Sequence, residues 1–274
     1  MRLPELLSQR FVMPSIPKVM ALVLTELARP EPDLRRIDQL ICVDPALTCH
    51  LLQEANSDTF KLSGKLHSVA ESLAVLRLSG VRTMVAQAAS SATFKSVPGI
   101  QLPQFWSYSL DAARVSRALA GLLHLNPQAA FSVGLIHAMG ELVMRMAMPK
   151  VVALDAAVPV LDVKRTRAEL QTTGFCYTQV SAALVRQWQF PQSMADALEF
   201  ENKPFNNEVY EPLAGVIHLA IWRARARQVK SSQRALAVSF PSQVAEVLGL
   251  DIDMVLQQDP IDWSAQSTTL HSNL

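Results

Sequence analysis

The sequence is poor in glycine, aromatic residues, cysteine and net charge, and each shortage narrows what the chain can be. Nine glycines stand against 16 prolines in 274 residues. A β-sandwich of this length needs many turns, and those turns need glycine; a compact helical protein does not. Aromatic residues make up 6% of the chain and charged residues 18%, while 50% is hydrophobic. That is too apolar for a disordered chain. The cysteines are Cys42, Cys49 and Cys176. Their odd number and lack of a CxxC spacing point away from a disulfide framework or a zinc site, toward buried thiols in a reducing compartment. Lys plus Arg is 25 and Asp plus Glu is 24, a net charge of +1, so nothing global attracts nucleic acid or anionic lipid. Arg2, Glu5 and Arg10 break up the N-terminus, which is unlike a signal peptide. No run reaches the length of about 18 uncharged apolar residues that a span requires. The expectation is a cytoplasmic protein without a membrane or nucleic-acid partner.

What is present is helical punctuation. Ser15-Ile16-Pro17 reads as a helix start followed by Val19, Leu22, Val23 and Leu27 at helical spacing. Asp33 opens a second helix, and Asp44-Pro45 is a cap-plus-proline start for a third. Ser68 and Glu71 form a capping box, and another helix is expected to begin after Ser79-Gly80. Val97-Pro98-Gly99 divides the chain into residues 1–97 and 98–274. Beyond it, a long helix runs from Pro103 to about Leu123. Asn126-Pro127 starts the helix that contains His137, and Gly174 stops the one before it in the later half, Thr166 to Thr173. Pro212 opens a helix through Val216, Leu219 and Trp222, and residues 268–274 are expected to fray. With no strand pattern in view, the expected fold is all-α.

The order of several short segments then matters more than periodicity. Met13-Pro14-Ser15-Ile16-Pro17, Asp44-Pro45-Ala46-Leu47-Thr48 and Glu54-Ala55-Asn56-Ser57 come first. Ser68 to Leu73, Val81-Arg82, Trp106 with Ser109, Gly134-Leu135-Ile136-His137, Gly174-Phe175 and Trp188-Gln189-Phe190-Pro191 follow in sequence. This ordered set resembles the HDOD family from about residue 13 to about residue 225. The resemblance implies a multi-helix fold like that of the HD superfamily with a helical N-terminal subdomain. It also implies a bacterial signalling role without a generally established catalytic activity.

A metal-dependent HD phosphohydrolase is expected to hold its metal with an early His, an adjacent His-Asp pair, later His residues and a distal Asp. Carried over position by position, those places fall at Tyr108, His137-Ala138, about Tyr177, about Glu201-Asn202, and Ile221. His137 alone keeps its ligand type. Alanine offers no lone pair, a protonated phenol is a poor ligand, and one imidazole does not hold a catalytic divalent metal. The expectation is a metal-free relic cleft without a cofactor.

Other readings stay open at this stage. His137 and Glu141 lie four apart, so with His124 they are candidates for a substitute zinc site and an atypical phosphohydrolase; the alternative is a core histidine beside a solvated glutamate. Asp111 and Asp155 are carboxylates that the fold could bring in for Ala138. Cys176 has no histidine near it in sequence, no G-x-S-x-G elbow is present, and Gly64 is isolated from any phosphate loop. Arg223, Arg227, Lys230 and Arg234 would make one positive stripe if their helix runs on, a contact for an acidic partner or a nucleotide phosphate. Residues 200–207 read as a polar loop with Phe200 and Phe205 exposed over the cleft. The function expected is therefore a signalling module that binds a regulatory protein, with a nucleotide as the other ligand considered.

Overall fold

A computed structural model describes residues 1–60, 65–91 and 96–250, and among them every regular element is a helix. The N-terminal part holds α1 (Leu3–Leu7), α2 (Pro17–Leu27), α3 (Leu34–Ile41), α4 (Pro45–Ala55) and α5 (Val69–Ser91). The remainder begins with α6 (Leu102–Leu122), α7 (Pro127–Ile136), α8 (Met139–Ala147), α9 (Pro149–Ala153) and α10 (Arg165–Thr173). It continues with α11 (Tyr177–Gln187), α12 (Gln192–Phe200), α13 (Pro212–Gln228), α14 (Gln233–Ser239) and α15 (Ser242–Val247). Residues 268–274 lie outside the described residues.

Local chemistry explains most of the helix starts. The Asp33 carboxylate accepts from the Arg35 and Arg36 amides, and Asn126 accepts from those of Gln128 and Ala129, satisfying N–H groups that have no partner inside the helix. Asp44 does more than cap α4. It accepts from the Leu47 amide at 3.0 Å, from the Ile16 amide at 2.7 Å, and from the Ser15 hydroxyl. Ser15 is thus a donor to Asp44 and not the cap of α2, whose N-cap is Ile16. Glu71 reaches back to the His67 amide at 2.7 Å while Ser68 accepts from Glu71. Gly174 ends α10 at φ +87, the left-handed stop that glycine adopts without strain.

Two breaks differ from the sequence expectation. The interruption near Ser79-Gly80 falls at Arg77 instead, with φ 56 and ψ 171 inside the α5 span; Leu76 and Val81 on either side are both buried. The helix expected to contain His137 stops at Ile136 and restarts at Met139, with His137 and Ala138 forming the turn. Gly140 is the reason α8 can lie where it does: a Cβ there would collide with the Tyr177 carbonyl oxygen and stand 2.8 Å from the Ser181 amide. The Gly140 amide donates to Ser181 Oγ, which in turn donates to the His137 carbonyl, each at 2.9 Å. The turn is therefore clamped onto α11.

Packing centres on α6, which lies against α7 and α13, while α11 lies between α8 and α12. α4 packs on α5 and also touches α7, so one core of buried apolar residues runs from Leu6 to Leu250. The stretch Pro127–Ala147 has the length and apolar character of a membrane span, but 94% of its most apolar 18 residues are buried inside this fold, as in the core of a globular protein. Cys49 and Cys176 are buried, Cys42 is half-buried, and all three are free thiols. Burial pushes all three upward in pKa, Cys42 to about 12, so none is held as a reactive thiolate.

Candidate functional site

Of the positions singled out by sequence, Tyr108, His137, Ala138, Tyr177, Glu201 and Asn202 converge where α6, the α7–α8 turn, α11, the end of α12 and α13 meet. Tyr108 comes from α6, His137 and Ala138 from the turn, Tyr177 from the start of α11, and Ile221 from α13; all five are buried. Glu201 is fully buried and Asn202 half-buried just past α12. The Tyr108 and His137 rings meet edge to face with centroids 5.0 Å apart.

His137 Nδ1–H donates to the Gly134 carbonyl at 2.7 Å. That bond fixes the tautomer and leaves Nε2 as a lone pair. Burial lowers the pKa of His137 to about 4 against the opposing Gly134 bond, and Arg225 adds to the fall. Nε2 is buried and has no hydrogen-bond partner.

The charge in this cleft is Arg225, which the sequence reading passed over. It sits one turn beyond Ile221 on α13, so it faces the same cluster. Burial works against its charge, but Tyr108, Tyr177 and Glu201 face it and leave its pKa raised. Around it, burial raises Tyr108, and raises Tyr177 and Glu201 well above their ordinary values. Neither Glu201 oxygen makes a hydrogen bond, and burial is the largest cause of its raised pKa. Its backbone carbonyl accepts from His218 Nδ1 at 2.6 Å. Glu201 therefore belongs to the interior and not to an exposed loop. In the segment after it, Phe205 is exposed and stacks on Tyr210 at 5.8 Å.

Glu141 does not join His137. The intervening turn separates them, and Glu141 Oε1 accepts from Arg145 Nε at 2.6 Å and from an Arg165 terminal nitrogen at 3.0 Å. Asp155 pairs with the same two arginines at 2.5 and 2.8 Å, and Glu169 accepts from Arg165 Nε at 2.8 Å. Glu141 is thus 2% exposed and part of a buried ion network, neither solvated nor aimed at a metal. Asp155 is committed to the same network, and Asp111 to Arg227 at 2.8 Å. Neither of these two carboxylates replaces the one missing at Ala138.

The cavity left in the cleft has a volume of about 20 Å³, between Tyr108, Ala138, Glu141, Tyr177, Arg225 and residues 160–166. That is room for about one water, not for a nucleotide. Among the described residues no group of three or more His, Cys, Asp or Glu is placed to hold a metal ion. The family's metal therefore does not fit these side chains: the one imidazole, His137, sits among the phenols Tyr108 and Tyr177, Glu201 and the Arg225 guanidinium.

The positive stripe is also interrupted. α13 ends at Gln228, Lys230 has φ 51, and Arg234 belongs to α14. Arg223, Arg227 and Lys230 do line one shallow hollow of about 260 Å³, but Arg227 is engaged by Asp111.

An all-helical HD-like scaffold with an arginine among the positions aligned with the metal cage is what fold and cleft define together. A profile of the HDOD domain matches residues 13–204. The chain belongs to the HDOD family of signalling domains. It is 28% identical over 142 residues, 51% of this chain, to the cyclic di-GMP phosphodiesterase CdgJ of Vibrio cholerae. That alignment spans 32% of CdgJ, about a third of its length. Among solved structures, the MmoQ response regulator of Methylococcus capsulatus shares the fold at a TM-score of 0.72 and 22% identity, covering 91% of this chain and 98% of that one. A virulence factor of Campylobacter jejuni shares it at a TM-score of 0.70 and 14% identity, covering 97% and 96%.

Proposed function

We propose that the protein is a non-catalytic HDOD regulatory module that acts by binding, with a regulatory protein as its partner. The observation that carries this reading is the donor set of the cleft. Where a hydrolase needs several anionic and imidazole ligands around an open cation, this chain places the Arg225 guanidinium among Tyr108, Tyr177 and Glu201. A divalent metal beside that guanidinium would meet repulsion and one lone pair. Ala138 and Ile221 add nothing that coordinates.

The phosphodiesterase activity in the name of the Vibrio relative, carried to this chain, would need a cage that these residues do not supply. The atypical hydrolase built on His137 and Glu141 has the same difficulty, because Glu141 is held by two arginines. Mass spectrometry of metals in untagged protein, purified without added metal, tests the reading. Less than about a tenth of an equivalent is expected, with no hydrolysis of bis(p-nitrophenyl) phosphate or cyclic di-GMP on adding manganese. Near-stoichiometric metal, or hydrolysis lost in His137→Ala, overturns it.

A further inference from the structure

A much larger cavity lies away from the cleft and shares no lining residue with it. Its volume is about 610 Å³, within the range of small-molecule sites and some thirty times the space left in the cleft. One wall is the non-helical chain at residues 9–15, between α1 and α2. α4, the second arm of α5 and the end of α11 form the others. The wall at residues 9–15 is fixed at its far end, where Ser15 and the Ile16 amide bond to Asp44. The cavity therefore sits where the N-terminal helices meet α11.

Its two surfaces differ in chemistry. The floor is Met13, Met20, Met84, Leu47 and Leu184, all buried in the fold. Three methionines give a soft, adaptable apolar surface that follows the shape of a flexible chain better than branched residues do. The rim is polar but mostly uncharged: glutamines 53, 87 and 187, His50 and Ser57. Burial lowers the pKa of His50, which keeps its ring neutral near pH 7. The charged residues of the rim, Arg10 and Glu54, are both exposed and of opposite sign, so neither an anionic nor a cationic head group is favoured.

We propose that this cavity binds a neutral amphiphile, with an alkyl chain on the methionine floor and an uncharged hydrogen-bonding head group at His50 and the glutamines of the rim. The ligand class follows from the surfaces: an apolar floor for the chain, neutral donors and acceptors for the head. Binding there would bridge the N-terminal helices and α11, so occupancy reports on how the two parts are held together. The proposal stands apart from the reading of the cleft, since metal content does not bear on it.

The test uses the full chain and a neutral fluorophore, N-phenyl-1-naphthylamine. The expected result is saturable binding at one site, displaced by dodecanamide at about tenfold lower concentration than by dodecanoate or dodecyltrimethylammonium. Ala88→Trp, which fills the cavity from α5, is expected to abolish binding, and His50→Phe to remove most of the preference for the amide. If Ala88→Trp does not give a native circular dichroism spectrum, Gln187→Trp at the rim serves instead. Unsaturable fluorescence, binding that survives the filling variants, or equal displacement by the charged amphiphiles overturns the proposal.

Discussion

Glu169→Gln tests whether the buried network beside the cleft holds a proton. Two arginines, Arg145 and Arg165, face three carboxyls, Glu141, Asp155 and Glu169. The network is neutral only if one carboxyl stays protonated. Burial, then the Glu141 carboxyl beside it, push Glu169 up to about 9 from an ordinary value of 4.5. Glu141 Oε2, which has no other partner, is the acceptor available to that proton. Between the two pH values the folded protein keeps a proton that the unfolded chain has lost. The contribution of this group to stability is full below about pH 4.5 and is lost as the pH rises toward 9, at no more than about 1.4 kcal/mol per pH unit. Glutamine places an amide where the proton was and ionises in neither state. It gives up one of two accepted bonds, from Arg165 Nε at 2.8 Å or the Tyr177 amide at 2.9 Å, which costs about 1 kcal/mol. The variant is therefore expected to be slightly weaker than the parent at pH 5 and stronger by about 2–3 kcal/mol at pH 8. Urea unfolding followed by circular dichroism across that range, with unchanged m-values, measures the crossing. Parallel pH curves would refute the reasoning. So would a loss of about 3–5 kcal/mol at every pH, the cost of breaking a buried ion pair.

Further expectations concern the two joints that hold the site. Gly140→Ala drives a methyl into the Tyr177 carbonyl and is expected to cost more than about 3 kcal/mol; an unchanged thermal midpoint would mean that α8 and α11 are not packed so closely. Asp44→Ala removes three accepted hydrogen bonds, from Ser15, Ile16 and Leu47, for a loss of about 2–4 kcal/mol. Limited proteolysis of that variant should cut first within residues 9–15, and a cleavage pattern like the parent's would count against the anchoring role of Asp44.

The helices were legible wherever a local cap announced them, as at Asp33, Asp44, Asn126 and Gly174. The breaks at Arg77 and at His137-Ala138 were not, because neither carries a proline or a glycine at the break itself; tertiary packing places them. The aligned positions Tyr108, His137, Ala138, Tyr177 and Glu201 do gather in one place. What the sequence hid was the charge at their centre. Arg225 stood unnoticed between Arg223 and Arg227, which draw the eye as a surface stripe, and only its spacing of four from Ile221 hints that it points inward. The buried network was half visible: Glu141 with Arg145 and Arg165 with Glu169 are both spaced as helical pairs. That the two pairs join through Asp155 depends on contacts distant in sequence.

A guanidinium tethered to its own helix has a consequence beyond the cleft. A coordinated ion can be stripped by a chelator, exchanged for a competing metal or withheld when the cell runs short, and a protein that depends on one reports metal supply along with its intended signal. Arg225 is installed at synthesis and does not dissociate. It keeps its charge throughout the physiological pH range. On the proposed metal-free reading, the architecture around it is expected to assemble equally in metal-starved and metal-replete cells, leaving the module's response to be set by what binds it and not by which ions are at hand.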